Sequence, residues 1–197
     1  YKMKVKYSDL KNKRVFITGG GSGIGSSIVE HFCEQGSEVY FVDIDLKETK
    51  KLLSKIKKNK FRTPTFIECN LLDINKIEKT IKTIIAKKGP IHALINNAAN
   101  DERHTTDQVD EKYWENRMAI NLKHYFFAAK AVVKSMKKMK AGSIVNLSSV
   151  SWMLGEGDKV VYETAKSAVV GLTRSFAQEY GKDNIRTNSV VPGSIAT

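Results

Sequence analysis

Tyr162 and Lys166 stand four residues apart in Tyr162-Glu163-Thr164-Ala165-Lys166. On a helix that spacing puts a phenol and an ammonium on one face. A free phenol has a pKa of about 10, and bringing it to about 7, where it could act as a base, takes roughly 4 kcal/mol of preferential stabilisation of the phenolate. A cation a few ångströms away is of the right size to supply much of that at intermediate dielectric. Alone, such a pair is an ordinary helix surface, so its setting decides. Ser148 and Ser149 follow the apolar run Ser143-Ile144-Val145-Asn146-Leu147. If that run is a strand, they lie at the C-terminal edge where open α/β sheets bind ligands.

A second constellation lies near the start of the chain. Thr18-Gly19-Gly20-Gly21-Ser22-Gly23-Ile24-Gly25 closes a strand-like run and opens a helical one. Glycines there let the backbone approach a pyrophosphate, and the helix start offers free N–H groups and the positive end of its dipole. The next strand-like run, Val39-Tyr40-Phe41-Val42, ends at Asp43. A carboxylate there can accept both adenosine-ribose hydroxyls and would repel a 2′-phosphate. Ile44, Asp45 and Leu46 add no base after it, so NAD is expected rather than NADP. Asp43 or Asp45 also suits the N-cap of the following helix, and the two roles are compatible.

The elements that must position these groups are legible in the patterning. Residues 14–18, 38–42, 65–68, 93–96, 143–147 and 185–190 read as buried strands, and 24–35, 47–57, 74–87, 111–139 and 161–180 as helices, the fourth long enough to admit a break. Ile74, Ile77, Ile81, Ile84 and Ile85 recur at helical spacing. Strand–helix alternation predicts an α/β fold, a single doubly wound parallel sheet with helices on both faces. There are no repeats or linkers, so residues 1–197 are expected to form a single domain.

The net charge of +12 raises nucleic acid as a partner. The lysines, however, are spread over several helices, arginine is sparse, and no DNA-binding signature occurs, so no nucleic-acid role is expected. Apolar runs are too short to span a bilayer, and the Lys-rich opening lacks the apolar core of a secretory signal. A cytoplasmic protein with no membrane association is expected. Cys33 and Cys69 match no metal-ligand spacing, and they read as buried, reduced thiols with no metal site. An opening Tyr1 rather than Met reads as the absence of the first native residues.

The Thr-Gly-x-x-x-Gly-x-Gly turn together with Tyr-x-x-x-Lys resembles the short-chain dehydrogenase/reductases. The resemblance implies a Rossmann-type fold that holds NAD through Gly19, Gly21, Ser22, Gly23, Ile24, Gly25 and Asp43. Asn70, before Leu71, stands where the family has an adenine-contacting acid. Asn96-Asn97-Ala98-Ala99 stands for Asn-Asn-Ala-Gly, with Asn97 and Ala98 toward the cofactor. Ser149, thirteen residues before Tyr162, matches the serine that holds the reacting oxygen. Asn121 matches an asparagine that kinks a helix and holds a water linking the lysine to solvent. Val191-Pro192-Gly193-Ser194-Ile195-Ala196-Thr197 resembles the Pro-Gly turn, so Pro192, Gly193, Ile195 and Thr197 are expected at the nicotinamide carboxamide. The implied catalytic set is Asn121, Ser149, Tyr162 and Lys166, the last two also touching NAD. Family members continue with a lid, another helix and a seventh strand, so partial coverage is expected here.

The loop Asn100-Asp101-Glu102-Arg103-His104, Tyr113-Trp114-Glu115-Asn116-Arg117 and Ser151-Trp152-Met153-Leu154 resemble the aldose 1-dehydrogenases, the D-xylose, L-arabinose and D-galactose group. The implied reaction is oxidation of the anomeric hydroxyl to a lactone. Asp101, Arg103, His104, Ser151, Trp152 and Glu156 are the candidate contacts to a small-molecule sugar, whose hydroxyls need paired donors and acceptors. Other readings are a reductase of 3-oxoacyl thioesters or steroids, and a non-catalytic NAD-binding regulator. The regulator normally requires a broken tetrad, and all four residues are present here. A homotetramer packed through 111–139 and 161–180 is implied by the same analogy.

Overall fold

The structure is a computed structural model that describes residues 5–195. Six parallel strands, β1 (Arg14–Thr18), β2 (Glu38–Asp43), β3 (Thr65–Glu68), β4 (Ala93–Asn96), β5 (Gly142–Leu147) and β6 (Ile185–Val190), form one sheet ordered β3-β2-β1-β4-β5-β6. The expected strands are all present, with β2 and β5 each longer by a residue. The helices are α1 (Gly23–Glu34), α2 (Leu46–Lys58), α3 (Ile74–Lys88), α4 (Glu111–Met118), α5 (His124–Met139), α6 (Ser151–Leu154) and α7 (Val160–Tyr180). The long 111–139 stretch is interrupted by a π turn at Ala119–Lys123.

Alternation along the strands builds two cores, because successive side chains leave opposite faces of the sheet. Phe16, Tyr40, Leu94 and Ile144 face α3 and α5, where Ile77, Ile81, Val132 and Met136 cover them. Val15, Ile17, Val39 and Phe41 face the other way, onto Val29, Cys33, Leu52 and Ile56. Strands buried on both faces read as continuous apolar runs, which is why they could be found without periodicity. Cys33 and Cys69 are buried free thiols. Burial pushes the Cys33 thiol up to about 12, which leaves it inert near neutrality.

Acids close the helix starts. Asp45 Oδ1 accepts from Glu48 N at 3.0 Å, Asp73 Oδ1 from Lys76 N at 2.9 Å, and Asp110 Oδ1 from Tyr113 N at 2.7 Å. Asp45, not Asp43, therefore caps α2, and Asp43 is released for another task. The strand order reverses between β1 and β4, whose last paired residues are Thr18 and Asn96. The crevice outside that reversal is where an open α/β sheet takes its ligand. No helix among the described residues is long and apolar enough to cross a membrane.

Candidate active site

At the C-terminal ends of β1 and β4 lies a cleft of about 700 Å³. Gly19, Ser22, Gly23, Ile24 and Gly25 form one wall. Gly19 has φ +64, and a Cβ there would stand 2.7 Å from Ala98 Cα. A Cβ on Gly25 would stand 1.8 Å from the Gly19 carbonyl oxygen. Two backbone segments thus pass where no larger residue fits, and α1 opens directly behind them. Asn97 locks the turn: its Nδ2 donates to Gly19 O at 2.8 Å and Thr18 O at 3.1 Å. Its N–H and that of Ala98 donate to Thr18 Oγ1.

Asp43 closes the same wall. Its Oδ2 accepts from Gly21 N at 2.7 Å, and its Oδ1 from Ile44 N at 2.7 Å and Asp45 N at 2.9 Å. Gly21 is not among the cleft-lining residues; its N–H serves Asp43 instead. A carboxylate has about four acceptor sites. Three backbone donors leave room for one more, so accepting two ribose hydroxyls would require Asp43 to release one of these bonds. Asn70 and Leu71 line the cleft, with Asn70 Oδ1 accepting from Leu72 N at 3.0 Å. Pro192, Gly193 and Ile195 line it from beyond β6, tied in by Val150 N donating to Pro192 O at 3.0 Å. Thr197 lies outside the described residues.

Ser149, Tyr162 and Lys166 line this same cleft. Lys166 Nζ stands 5.5 Å from the centre of the Tyr162 ring. The two share a helix face, as expected, but the ammonium does not donate to the phenol. It donates to Tyr125 Oη at 2.9 Å and to the Leu147 carbonyl at 2.7 Å. Burial lowers Lys166 to about 7, against the Asp101 carboxylate, which raises it. Burial likewise raises the Tyr162 phenol above its ordinary value, with the Ser149 hydroxyl and Lys159 pulling it down and Asp101 and Glu156 pushing it up. The expected depression of the phenol is therefore not produced by the chain's own charges. A positive group bound beside Tyr162 would have to complete it.

Asn121 is fully buried at the π turn, where its Oδ1 accepts from Asn100 N at 2.8 Å and its Nδ2 donates to Asn100 O at 2.9 Å. Both ends of the amide are committed to the loop after β4. Asn121 thus fixes that loop, with one amide N–H and one Oδ1 lone pair left over. Asp101, Arg103, Ser151 and Glu156 all line the cleft. Ser151 Oγ donates to Ser149 Oγ at 2.9 Å, and Arg103 pairs with Asp158.

His104 and Trp152 are not among the lining residues. His104 is buried, its backbone N–H donating to Asp158 O at 2.7 Å, its Nδ1 2.9 Å from Tyr113 Oη, and its Nε2 accepting from Val161 N at 3.4 Å. It fastens the loop to the start of α7. Trp152, on α6, buries its Nε1 without a hydrogen-bond partner among the described residues. Sequence reasoning missed Lys159, which is buried at the cleft, pairs with Glu156 Oε2 at 2.5 Å and stands 6.0 Å from the Tyr162 ring centre. It also missed Tyr125. The available signal for Tyr125 was a phenol one helical turn after Asn121, just ahead of the apolar run Phe126-Phe127-Ala128-Ala129.

The family model for short chain dehydrogenases matches residues 13–197. D-xylose 1-dehydrogenase of Caulobacter vibrioides is 42% identical over 191 residues, 97% of this chain and 75% of that protein. A protein of Rhizobium meliloti named probable galactose dehydrogenase is 39% identical over 192 residues, 98% of this chain and 75% of its own. The crystal structure of a Burkholderia xenovorans protein assigned to the short-chain dehydrogenase/reductases superposes with a TM-score of 0.90 at 29% identity, covering 97% of this chain and 78% of that one.

Proposed function

The chain belongs to the short chain dehydrogenase family, and on that premise we propose that this oxidoreductase uses NAD to oxidise an aldose at C1 to the aldonolactone. The observation that carries the reading is the one cleft shared by the glycine turn, Asp43, Ser149, Tyr162 and Lys166. The sugar rests on 42% and 39% identity to proteins named for xylose and galactose. We read residues 1–197 as a single cofactor-binding domain that also carries the catalytic groups. A cytoplasmic homotetramer packed through α4, α5 and α7 belongs to the same reading.

The family binds a nicotinamide cofactor, and the residues present fit one. The turn from Gly19 to Gly25 leaves a wall that a Cβ would fill, and it ends on a helix N-terminus suited to a pyrophosphate. Asp43, with one acceptor site left, would hold a ribose hydroxyl, and Asn70, Leu71, Asn97, Ala98, Pro192, Gly193 and Ile195 would enclose the rest. When bound, the nicotinamide supplies the hydride acceptor that turns C1 into a lactone carbonyl. Ser149 holds the C1 oxygen by a hydrogen bond, and Tyr162 takes its proton. Lys166 stabilises the phenolate through space and passes the proton on. Asn121 keeps the Asn100 loop in register. Asp101, Arg103, Ser151, Glu156 and the buried Lys159 offer both donors and acceptors to sugar hydroxyls.

The test is NAD reduction, followed by absorbance, across pentoses, hexoses, a 3-oxoacyl thioester and a ketosteroid. Turnover with an aldose well above the others is expected, and turnover confined to the thioester or steroid would overturn the sugar reading. The choice of cofactor has its own test. Asp43→Asn keeps the shape and one of the two acceptor oxygens but removes the charge that repels a 2′-phosphate. The preference for NAD over NADP, measured as the ratio of kcat/KM values, is expected to narrow by about tenfold, equivalent to ~1.4 kcal/mol. An unchanged ratio would take the discrimination away from Asp43.

A further inference from the structure

Lys166 Nζ carries three N–H donors, and two have acceptors within the protein: the Tyr125 hydroxyl at 2.9 Å and the Leu147 carbonyl at 2.7 Å. Tyr125 is fully buried in the first turn of α5. Its own proton has two carbonyls within reach, Leu147 O at 3.0 Å and Ala98 O at 3.3 Å. The phenol therefore donates into backbone at the ends of β5 and β4 and turns its oxygen lone pairs to the ammonium. Its π face is near the same cation, with Nζ 5.1 Å from the ring centre. The Tyr162 ring centre is 5.5 Å from the same Nζ. Two tyrosine rings lie near the ammonium, and only Tyr125 bonds to it.

We propose that Tyr125 is a positioning residue for Lys166: its hydroxyl oxygen keeps the buried lysine in the cation form and aims the remaining N–H at the cleft. This rests on the reading that Lys166 serves the chemistry at Tyr162. Burial disfavours an ammonium, and each acceptor supplied in the fold offsets part of that cost. Of the other titratable groups facing Lys166, Asp101 alone shares this role. His124, one position before Tyr125, is held at about 3 by burial and by Lys166 itself, so it is neutral near pH 7. Burial drives the Tyr125 phenol far above its ordinary range, so it stays a neutral acceptor. From the loop after β4 the Asp101 carboxylate favours the cation from the exposed rim of the cleft, and on the same helix the Tyr162 phenol is the remaining titratable neighbour.

Tyr125→Phe removes one oxygen and leaves the ring in its pocket. With a midpoint near 7 for Lys166 in the parent protein, loss of one charge-assisted hydrogen bond is expected to lower it by about one pH unit. The readout is the titration of the Lys166 side chain by NMR in isotopically labelled, cofactor-free protein, assigned with Lys166→Met. At pH 7 the cationic fraction falls from roughly half to roughly a tenth, so kcat for the sugar is expected to drop about fivefold. The deficit should shrink as pH is lowered, with KM changed less than about twofold. A purely structural role would not move the ratio of variant to parent with pH. A folded Tyr125→Phe whose lysine midpoint stays within about 0.2 pH units of the parent would overturn the proposal. Should that variant not fold, a difluorotyrosine at position 125 keeps the ring and hydroxyl while weakening the oxygen as acceptor. The midpoint is then expected to fall by a smaller amount, and no movement would overturn the proposal equally. The titration needs no substrate, so a shifted midpoint in a protein that oxidises no aldose would retain Tyr125 and discard the sugar.

Discussion

Tyr162→Phe is expected to lower aldose-dependent NAD reduction by about 10³-fold, within the range found when a general base is removed, while NAD binding changes less than about threefold. The substitution deletes one oxygen and keeps the ring that packs near Lys166 and Lys159. The glycine turn and Asp43, which would hold the cofactor, are on other elements. Binding and chemistry should therefore separate cleanly. Steady-state kinetics gives the first quantity, and a titration of intrinsic fluorescence with NADH gives the second. Parallel loss of both would mean that Tyr162 shapes the cofactor wall rather than the reacting centre. Retention of ordinary turnover would remove the phenol from the chemistry altogether. Because burial raises this phenol in the chain by itself, the rate of the parent enzyme is expected to fall on the acid side of its pH profile. That limb should vanish with the hydroxyl.

The residues that do this work were legible to different degrees, and the differences have physical causes. The central strands were found to within a residue because both faces of the sheet are covered there, which turns a strand into an unbroken apolar run such as Val39–Val42, whereas the edge strand β6 alternates buried and exposed residues. The glycine turn was legible because two backbones cross there at a distance that admits no Cβ, so the requirement falls on residue type itself. Tyr162 and Lys166 were legible because four residues on a helix is a local geometry. What could not be read is whatever acts between elements. Tyr125 reaches Lys166 across forty-one positions in sequence, and nothing in its own neighbourhood announces a lysine. Asn121 was identified by position, but its partner, the Asn100 backbone, follows only from where the π turn brings it. His104 was read as a substrate contact because it follows charged residues in a loop at the sheet edge. A long loop also needs an internal anchor, and a buried imidazole with a hydroxyl on one nitrogen and an N–H on the other supplies it. The four residues of α6 are too few to show a helical period.

Gly25→Ala carries the second large effect, and it tests the cofactor wall without touching a polar group. A Cβ has no torsion of its own by which to escape, and at Gly25 it would stand 1.8 Å from Gly19 O and 2.6 Å from Asn97 Nδ2. Both are bonded to each other in the lock that holds the turn. Either α1 must withdraw from the sheet or the Gly19 turn must open, and each displaces the N–H groups that a pyrophosphate would use. Overpacking of this kind costs about 1–3 kcal/mol, and a fall in Tm of roughly 2–10 °C is expected by calorimetry. NAD affinity, by isothermal titration, is expected to fall by about 100-fold or more, since a cradle displaced by an ångström loses several hydrogen bonds at once. The control is Gly171→Ala on α7, where a Cβ meets nothing within 4 Å inside the protomer; the helix gains intrinsic propensity of ~1 kcal/mol, and NAD binding should not change. A Gly25→Ala protein that binds NAD as tightly as its parent would show that the start of α1 is not where the dinucleotide is held.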